Sequence, residues 1–447
     1  MRIRTRCCAS GCLALLLAAP VQAQSLSDLV GRLFIMAPHT APLQVSGQGA
    51  AGALGDGFLP SAVQGNAAVL DFLTRWVGVS PGYFPLGTTS GGVAFQFEGA
   101  IPVPNPVSGG PIFGEQAQTL GRGRSVVGGN YTSTRFNTAR GRPLEDLRLN
   151  FTHANIDSDQ CDAAEGRDCA PLGVPVPEND VIEVLLSLDL DIDIASFFAT
   201  YGLLDQVDVG IIVPFVHSRV TAHSLAQVVP FGSLPTGAAH FIAGTPEDPI
   251  LSSTQAIDGS ATGLGDLAGR VKVKVLQRDR AALAFLADVR FPTGDEKDFL
   301  GTGKVAMRGF GVLSMRYGDF SPHLNVGYVW RDGEATNGAA NDAFLAVVGF
   351  DHLFAPWATF AADLVSEFQV GGSVFDVPPA VTFTQPFVRT LRPMDLTDAR
   401  DNIVSASIGF RFATLANFTG VANSLIPIGG SSPRPDFAWS FGVEYDF

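Results

Sequence analysis

The final eleven residues, Phe437 to Phe447, constrain this chain more than any other stretch. Phe437, Trp439, Phe441, Val443, Tyr445 and Phe447 alternate with Ala438, Ser440, Gly442, Glu444 and Asp446. Side chains of a strand point to opposite faces in turn, so one face is wholly apolar and the other small or acidic. A strand of a soluble sandwich alternates too, but it rarely carries five aromatics on its outer row. A transmembrane β-barrel does so routinely: lipid covers one face, water fills the other, and aromatic girdles mark the interfaces. The five aromatics Phe437, Trp439, Phe441, Tyr445 and Phe447 are expected to serve as an assembly signal. The expected partners there are outer-membrane lipid and the barrel-assembly machinery.

The opposite end agrees. Arg2, Arg4 and Arg6 precede a short apolar core, Leu13 to Ala19, and Val21-Gln22-Ala23 fits a small-residue cleavage site. Residues 1–23 therefore read as a secretory signal peptide, too short to span a membrane. Ala9-Ser10-Gly11-Cys12 imitates a lipoprotein box but stands before the apolar core, where such a box should follow it. The net charge is −14, and losing the three leader arginines leaves about −17. An acidic chain without a basic block is a poor partner for nucleic acid. Apolar residues make up 46% of the chain. Beyond the leader, however, no uninterrupted apolar run reaches about 18 residues, which excludes a helical membrane protein. Apolar content spread over alternating strands suits a closed barrel, the β-architecture that leaves no strand edge unpaired in lipid.

Three of the five cysteines lie in the leader; Cys161 and Cys169 remain. In an oxidising compartment they read as one disulfide across a short loop. A metal site is the weaker reading, because no histidine stands near the two thiols.

Residues 24–90 differ from the remainder of the chain. Leu26, Leu29, Val30 and Leu33 have helical spacing, as do Val69, Phe72, Leu73 and Trp76, with Asn66 available as a cap. This segment is expected to be a partly helical plug in the lumen or at the periplasmic mouth, with Phe72 and Trp76 as candidate plug residues. From residue 91 the period becomes two, for example at Val93-Phe95-Phe97, Leu147-Leu149-Phe151, Leu188-Leu190-Ile192-Ile194, Leu324-Val326-Tyr328-Trp330 and Val404 to Phe412. The expected fold is all-β, an antiparallel transmembrane barrel over residues 91–447. Short turns are expected at 277–280, 317–322, 355–356 and 200–204, and long loops at 101–124, 157–178, 218–262, 292–304, 333–341 and 371–400. Keeping every long loop on one side requires a further strand near 415–427. The count is then about 14, with 12 as the alternative.

Motifs for other chemistry fail on inspection. Asp189-Leu190-Asp191-Ile192-Asp193 opens like a calcium loop, but Ile194 replaces the required glycine and Thr200 the closing glutamate. Asp189, Asp191 and Asp193 are instead expected on one lumen face, setting a cation preference or pairing with basic neighbours. Gly301-Thr302-Gly303-Lys304 lacks the rest of a phosphate loop, and Gly263-Leu264-Gly265-Asp266 leads into a strand rather than a helix. Seven scattered histidines form no metal pair, and no serine or cysteine sits in a nucleophile motif. No enzyme activity, cofactor or metal is expected.

Several segments resemble a known group. They are Phe84 to Gly92, Tyr201 to Gly210, Gly263 to Asp266, Phe291 to Asp295, Ser321 to Tyr328 and Gly442 to Phe447. In this order they are similar to the outer-membrane transporters of the phenol meta-pathway degradation family, which resemble the long-chain fatty-acid channels. The resemblance implies a fourteen-stranded barrel with an N-terminal hatch and passive uptake of a small hydrophobic or aromatic solute across a bacterial outer membrane. No ligand residue carries over, since the shared motifs are natural turn and strand-end formers. Phe231, Phe241, Phe375, Phe383 and Phe387 fall in the long loops and are candidates for an apolar entry, or for packing those loops together. A structural or adhesive barrel and a nonspecific water-filled porin are the competing functions.

Overall fold

The computed structural model describes residues 24–47, 58, 94–98, 101–105, 110–152, 175–332, 342–371, 380–383, 387–396, 399–413, 417–430 and 434–447. The expectations for the leader, for Phe72 and Trp76, for Cys161 and Cys169 and for Phe375 lie outside the described residues. Twelve strands close into one antiparallel barrel. They are β1 (Ser125–Ala139), β2 (Val181–Leu204), β3 (Val207–Val229), β4 (Leu267–Gln277), β5 (Ala281–Phe291) and β6 (Ala306–Met315). The ring continues with β7 (Phe320–Arg331), β8 (Ala343–Ala355), β9 (Ala358–Gln369), β10 (Ile403–Ala413), β11 (Phe418–Gly430) and β12 (Arg434–Asp446). Each pairs with the next, and β12 returns to β1 with Phe441 opposite Tyr131. The ring has no open edge, the condition lipid imposes on a sheet.

The strand count is twelve rather than fourteen, because two alternating segments are not separate wall strands. Ala94–Glu98 forms its own hairpin with Ile101–Asn105. Leu147–Thr152 pairs with the far end of β2, beyond the part that β1 covers, and so prolongs the line of β1. The strand inserted near 415–427 is present as β11. The wall itself starts at Ser125, not at residue 91. The expected short turns lie together with Phe447 at one end, where Phe447 N–H donates to Ser125 O at 2.9 Å.

The outward rows form the lipid face. Phe197, Ile211, Phe285, Val326, Phe344, Phe441 and Val443 are each more than half exposed, though large and apolar. Aromatics gather at two levels. Tyr317, Phe354, Trp357, Phe412 and Phe447 sit near the short turns; Trp330, Phe344, Phe368 and Phe437 stand toward the long loops. Such paired girdles mark the two interfaces of a transmembrane barrel.

β2 and β3 are 24 and 23 residues long, about twice what a bilayer crossing needs. Ser252–Leu264 pairs with β3 from Gln227 to Phe215, so most of the expected loop 218–262 is strand. Together with Leu147–Thr152 these strands raise one side of the barrel into a tall wall beyond the lipid. Along β2 the alternation keeps its phase, but its polarity inverts at Ile194 and Ala195. Toward the short turns the outward row is Ala195, Phe197, Ala199 and Tyr201; above, it is Asp189, Asp191 and Asp193. The inward row changes the other way, becoming Ile182, Val184, Leu186, Leu188, Leu190, Ile192 and Ile194, all nearly fully buried. On β3 the same inversion falls between Phe215 and His217.

That apolar inner surface is covered by the chain's own N-terminal segment. Ser25 caps helix α1 (Leu26–Gly31) by accepting from Asp28 N–H. Leu26, Val30, Leu33 and Phe34 lie buried among Ile192, Val220 and Ile257, each burial contributing about 1.5–3 kcal/mol. Gly259 lets the helix approach: a Cβ there would stand 2.5 Å from Leu29 Cδ1. The described part of the expected plug therefore fills the tall wall's interior at the long-loop end. The expected alternative, the periplasmic mouth, is not where it lies.

Candidate functional site

Within the lipid-covered part of the barrel the inward rows are polar. Asp208, Arg270, Lys272, Asp288, Ser314, His323, Asn325, Asp351, Asp363, Arg411 and Glu444 all point inward and are buried. Buried charge in such quantity requires partners. The partner is a stretch without regular structure, residues 110–124, which falls within the expected long loop 101–124 but lies inside the barrel.

Side chains of β3, β4, β6, β7 and β9 hold this luminal segment by its backbone. Asp363 Oδ2 on β9 accepts from the N–H of Phe113 at 3.0 Å and of Gly114 at 3.4 Å. Asn325 on β7 accepts from Glu115 N–H at 2.7 Å and donates to Glu115 O at 3.0 Å. Ser314 Oγ on β6 accepts from Ala117 N–H at 2.9 Å. Asp208 on β3 accepts from Leu120 N–H at 3.1 Å. Lys272 Nζ on β4 donates to the carbonyls of Gln116 and Gln118 at 3.2 and 3.3 Å. The orphan donors and acceptors of an extended, unpaired chain are thus taken up by side chains instead of a strand ladder. Glycine permits the closest approach: a Cβ on Gly114 would lie 2.4 Å from His323 Nε2.

Charge ties the segment to the wall as well. Arg308 grips Asp288 with two bonds of 2.8 Å. Arg270 lies 3.5 Å from Asp288 and 2.7 Å from Glu115, which Lys272 approaches at 3.4 Å. His323 Nε2 stands 2.7 Å from Asp363. Beside the segment a cavity opens. Its apolar lining is Phe113, Leu286, Phe310, Leu345, Val347 and Val365; its polar lining includes Glu115, Arg270, Arg308 and Glu367. An apolar pocket with a few convergent polar groups is the usual form of a small-molecule site.

The residues singled out from sequence fall elsewhere. Asp189, Asp191 and Asp193 lie on the outer row of β2 above the lipid, not toward the lumen. The alternation rule misplaced them because the surface outside is wet at that height and the interior is packed. Asp191 holds Arg135 at 2.7 Å, and that hydrogen bond raises the Arg135 pKa. Phe231 and Phe387 meet at 5.7 Å between ring centres, and Arg389 stands 4.2 Å over Phe383 and 5.0 Å over Phe231. Burial lowers the Arg389 pKa, with Asp180 opposing that shift. Phe241 is buried and lies opposite Ser46 in a two-residue pairing. Phe231, Phe383 and Phe387 thus stand together among the loops, and Phe241 stands against the N-terminal segment. The terminal aromatics Phe437, Trp439, Phe441 and Tyr445 lie on the outer row of β12, and Phe447 follows directly after it.

The family described as "Putative MetA-pathway of phenol degradation" has a model that matches residues 187–376, from the long half of β2 to just beyond β9. The resemblance carried by the sequence motifs is thus found independently over this span. Among curated proteins none matches the chain. Of solved structures, the COG4313 outer membrane channel from Pseudomonas putida F1 is similar at 13% identity, with a TM-score of 0.42, over 74% of this chain and 98% of that one. A Pseudomonas aeruginosa FadL homologue is similar at 9% identity, with a TM-score of 0.31, over 73% of this chain and 90% of that one. The TodX deltaS2S3 mutant monoaromatic hydrocarbon channel is similar at 10% identity, with a TM-score of 0.32, over 74% and 92%.

Proposed function

We propose that this chain is a bacterial outer-membrane channel for passive entry of a small hydrophobic or aromatic solute, exported by way of a cleaved leader at residues 1–23. The observation that carries the reading is the half-apolar cavity in the middle of the lumen, beside a segment held by side-chain hydrogen bonds. A solute entering from the long-loop end meets the N-terminal segment packed inside the tall wall first, then the cavity, then the luminal segment. Movement of residues 110–124 opens the remaining path to the periplasm. The N-terminal residues 24–90, with Phe72 and Trp76, act as a hatch above it. Cys161 and Cys169 form a disulfide in the exported protein, and the terminal aromatics engage the barrel-assembly machinery.

An open porin fits less well, because residues 110–124 occupy the lumen. A purely structural barrel has no need of a lined cavity. The test is entry of a labelled monoaromatic hydrocarbon into liposomes whose outer leaflet contains lipopolysaccharide. The reading expects entry to accelerate with protein present and to compete with unlabelled solute. Equal rates with and without protein would refute it.

A further inference from the structure

Arg290, on the inner row of β5, is a charged group of the luminal centre that takes no part in holding residues 110–124. It is only 5% exposed. Its Nε and Nη2 are shut off from solvent and meet no acceptor among the described residues. The reason is visible in the register. Arg290 pairs with Ala268 on β4 and Ala306 on β6, so neither neighbouring strand offers it a side chain that accepts. Two carboxylates act on it electrostatically, Asp288 and Asp266. Both are already engaged. Asp288 is gripped by Arg308 and approached by Arg270. Asp266 accepts from Gly294 N–H at 3.1 Å, Thr302 N–H at 2.9 Å and Thr302 Oγ1 at 2.8 Å. Arg290 thus stands one layer beyond the row Arg270, Asp288 and Arg308, toward the long loops. Arg270 and Arg308 of that row also line the cavity.

A buried guanidinium whose donors meet no acceptor is costly, and its fork of donors matches a carboxylate. Around it Arg270, Lys272 and Arg308 stand with Asp288, Glu115 and Asp266, and each of these carboxylates is already engaged. We propose that Arg290 is a specificity-determining residue that binds an anionic oxygen of the solute. The cargo class is then a small apolar or aromatic body bearing one carboxylate or comparable anion, its body against Phe310 and Leu345. This deepens the channel reading and rests on it.

The probe is sodium benzoate, with benzyl alcohol as its neutral counterpart, titrated calorimetrically into the full detergent-solubilised chain. Benzoate is expected to bind the unaltered protein about tenfold more tightly than benzyl alcohol, the difference a charge-assisted pair supplies. Arg290→Gln is expected to abolish that difference, and Arg290→Lys to retain part of it. Because Arg290→Gln can fail to fold, Ala306→Asp is the second variant: it places a carboxylate opposite Arg290 and is expected to abolish the preference equally. Heat-modifiable migration on a denaturing gel reports a closed barrel in each case. Benzoate affinity unchanged in a folded Arg290→Gln or Ala306→Asp barrel overturns the proposal. So does an unaltered protein that binds both probes alike. If labelled toluene still crosses by way of the protein, the channel reading survives that loss; if toluene does not cross either, both fall.

Discussion

Asp363→Ala is the substitution that most directly loosens the luminal segment. The carboxylate accepts from Phe113 N–H at 3.0 Å, from Gly114 N–H at 3.4 Å and from His323 at 2.7 Å. A hydrogen bond to a charged partner contributes about 1.5–3 kcal/mol, so the two backbone bonds together hold the segment by roughly 3–6 kcal/mol. The 3.4 Å bond is long, which favours the lower figure. Losing about 3 kcal/mol shifts the docked equilibrium by roughly a hundredfold. Single-channel recording in planar bilayers should then show large openings about a hundred times more often than in the unaltered chain. Asp363→Asn keeps one oxygen to accept from both N–H groups but loses the charge, and should give an intermediate frequency. A folded Asp363→Ala barrel with unchanged conductance refutes the idea that these bonds hold the lumen shut.

Other outcomes rest on the same geometry. Ala199→Arg places a charge in the middle of the outward lipid row and should destabilise the folded barrel by about 2–4 kcal/mol. Thr221→Arg, outward on β3 above the lipid and opposite Asp189, should change stability by less than about 0.5 kcal/mol; equal losses in urea titrations into lipid vesicles would contradict the polarity inversion. Gly259→Val should displace α1, since its Cβ would stand 2.5 Å from Leu29 Cδ1; the check is faster proteolysis at residues 24–47, with the barrel core left resistant. Peptide mass mapping without reductant should recover Cys161 and Cys169 as one linked pair; free thiols in protein exported to an oxidising compartment would refute the disulfide.

The membrane wall was legible because lipid imposes a simple rule, apolar outward and polar inward at period two. Phe437 to Phe447 and Val404 to Phe412 obey it, and the structure places both as read. The rule broke at Asp189, Asp191 and Asp193, where the strand leaves the lipid and its surroundings change sides while its phase does not. Ser252–Leu264 was hidden for a related reason: apart from Ile257 and Leu264 both its rows are polar or small, so a strand in water looks like a loop. Residues 110–124 left no periodic trace at all, being held by side chains of distant strands. A signal existed nonetheless. Lys272, His323 and Asp363 each alternate with apolar neighbours in the sequence, and buried charges in that number call for a partner in the lumen. The resemblance motifs also acquire a structural reason. Thr293 Oγ1 donates to Gly265 O at 2.6 Å, and Asp266 binds Gly294 and Thr302, so Gly263 to Asp266 and Phe291 to Asp295 are two halves of one joint.

The most direct test of the whole account is initial uptake of a radiolabelled monoaromatic hydrocarbon by Gram-negative cells that make this chain, against cells that make none. The account predicts faster uptake with the chain, faster still with Asp363→Ala, and saturation by unlabelled compound. Identical uptake in all three strains, with the barrel shown to be folded in the outer membrane, would contradict it.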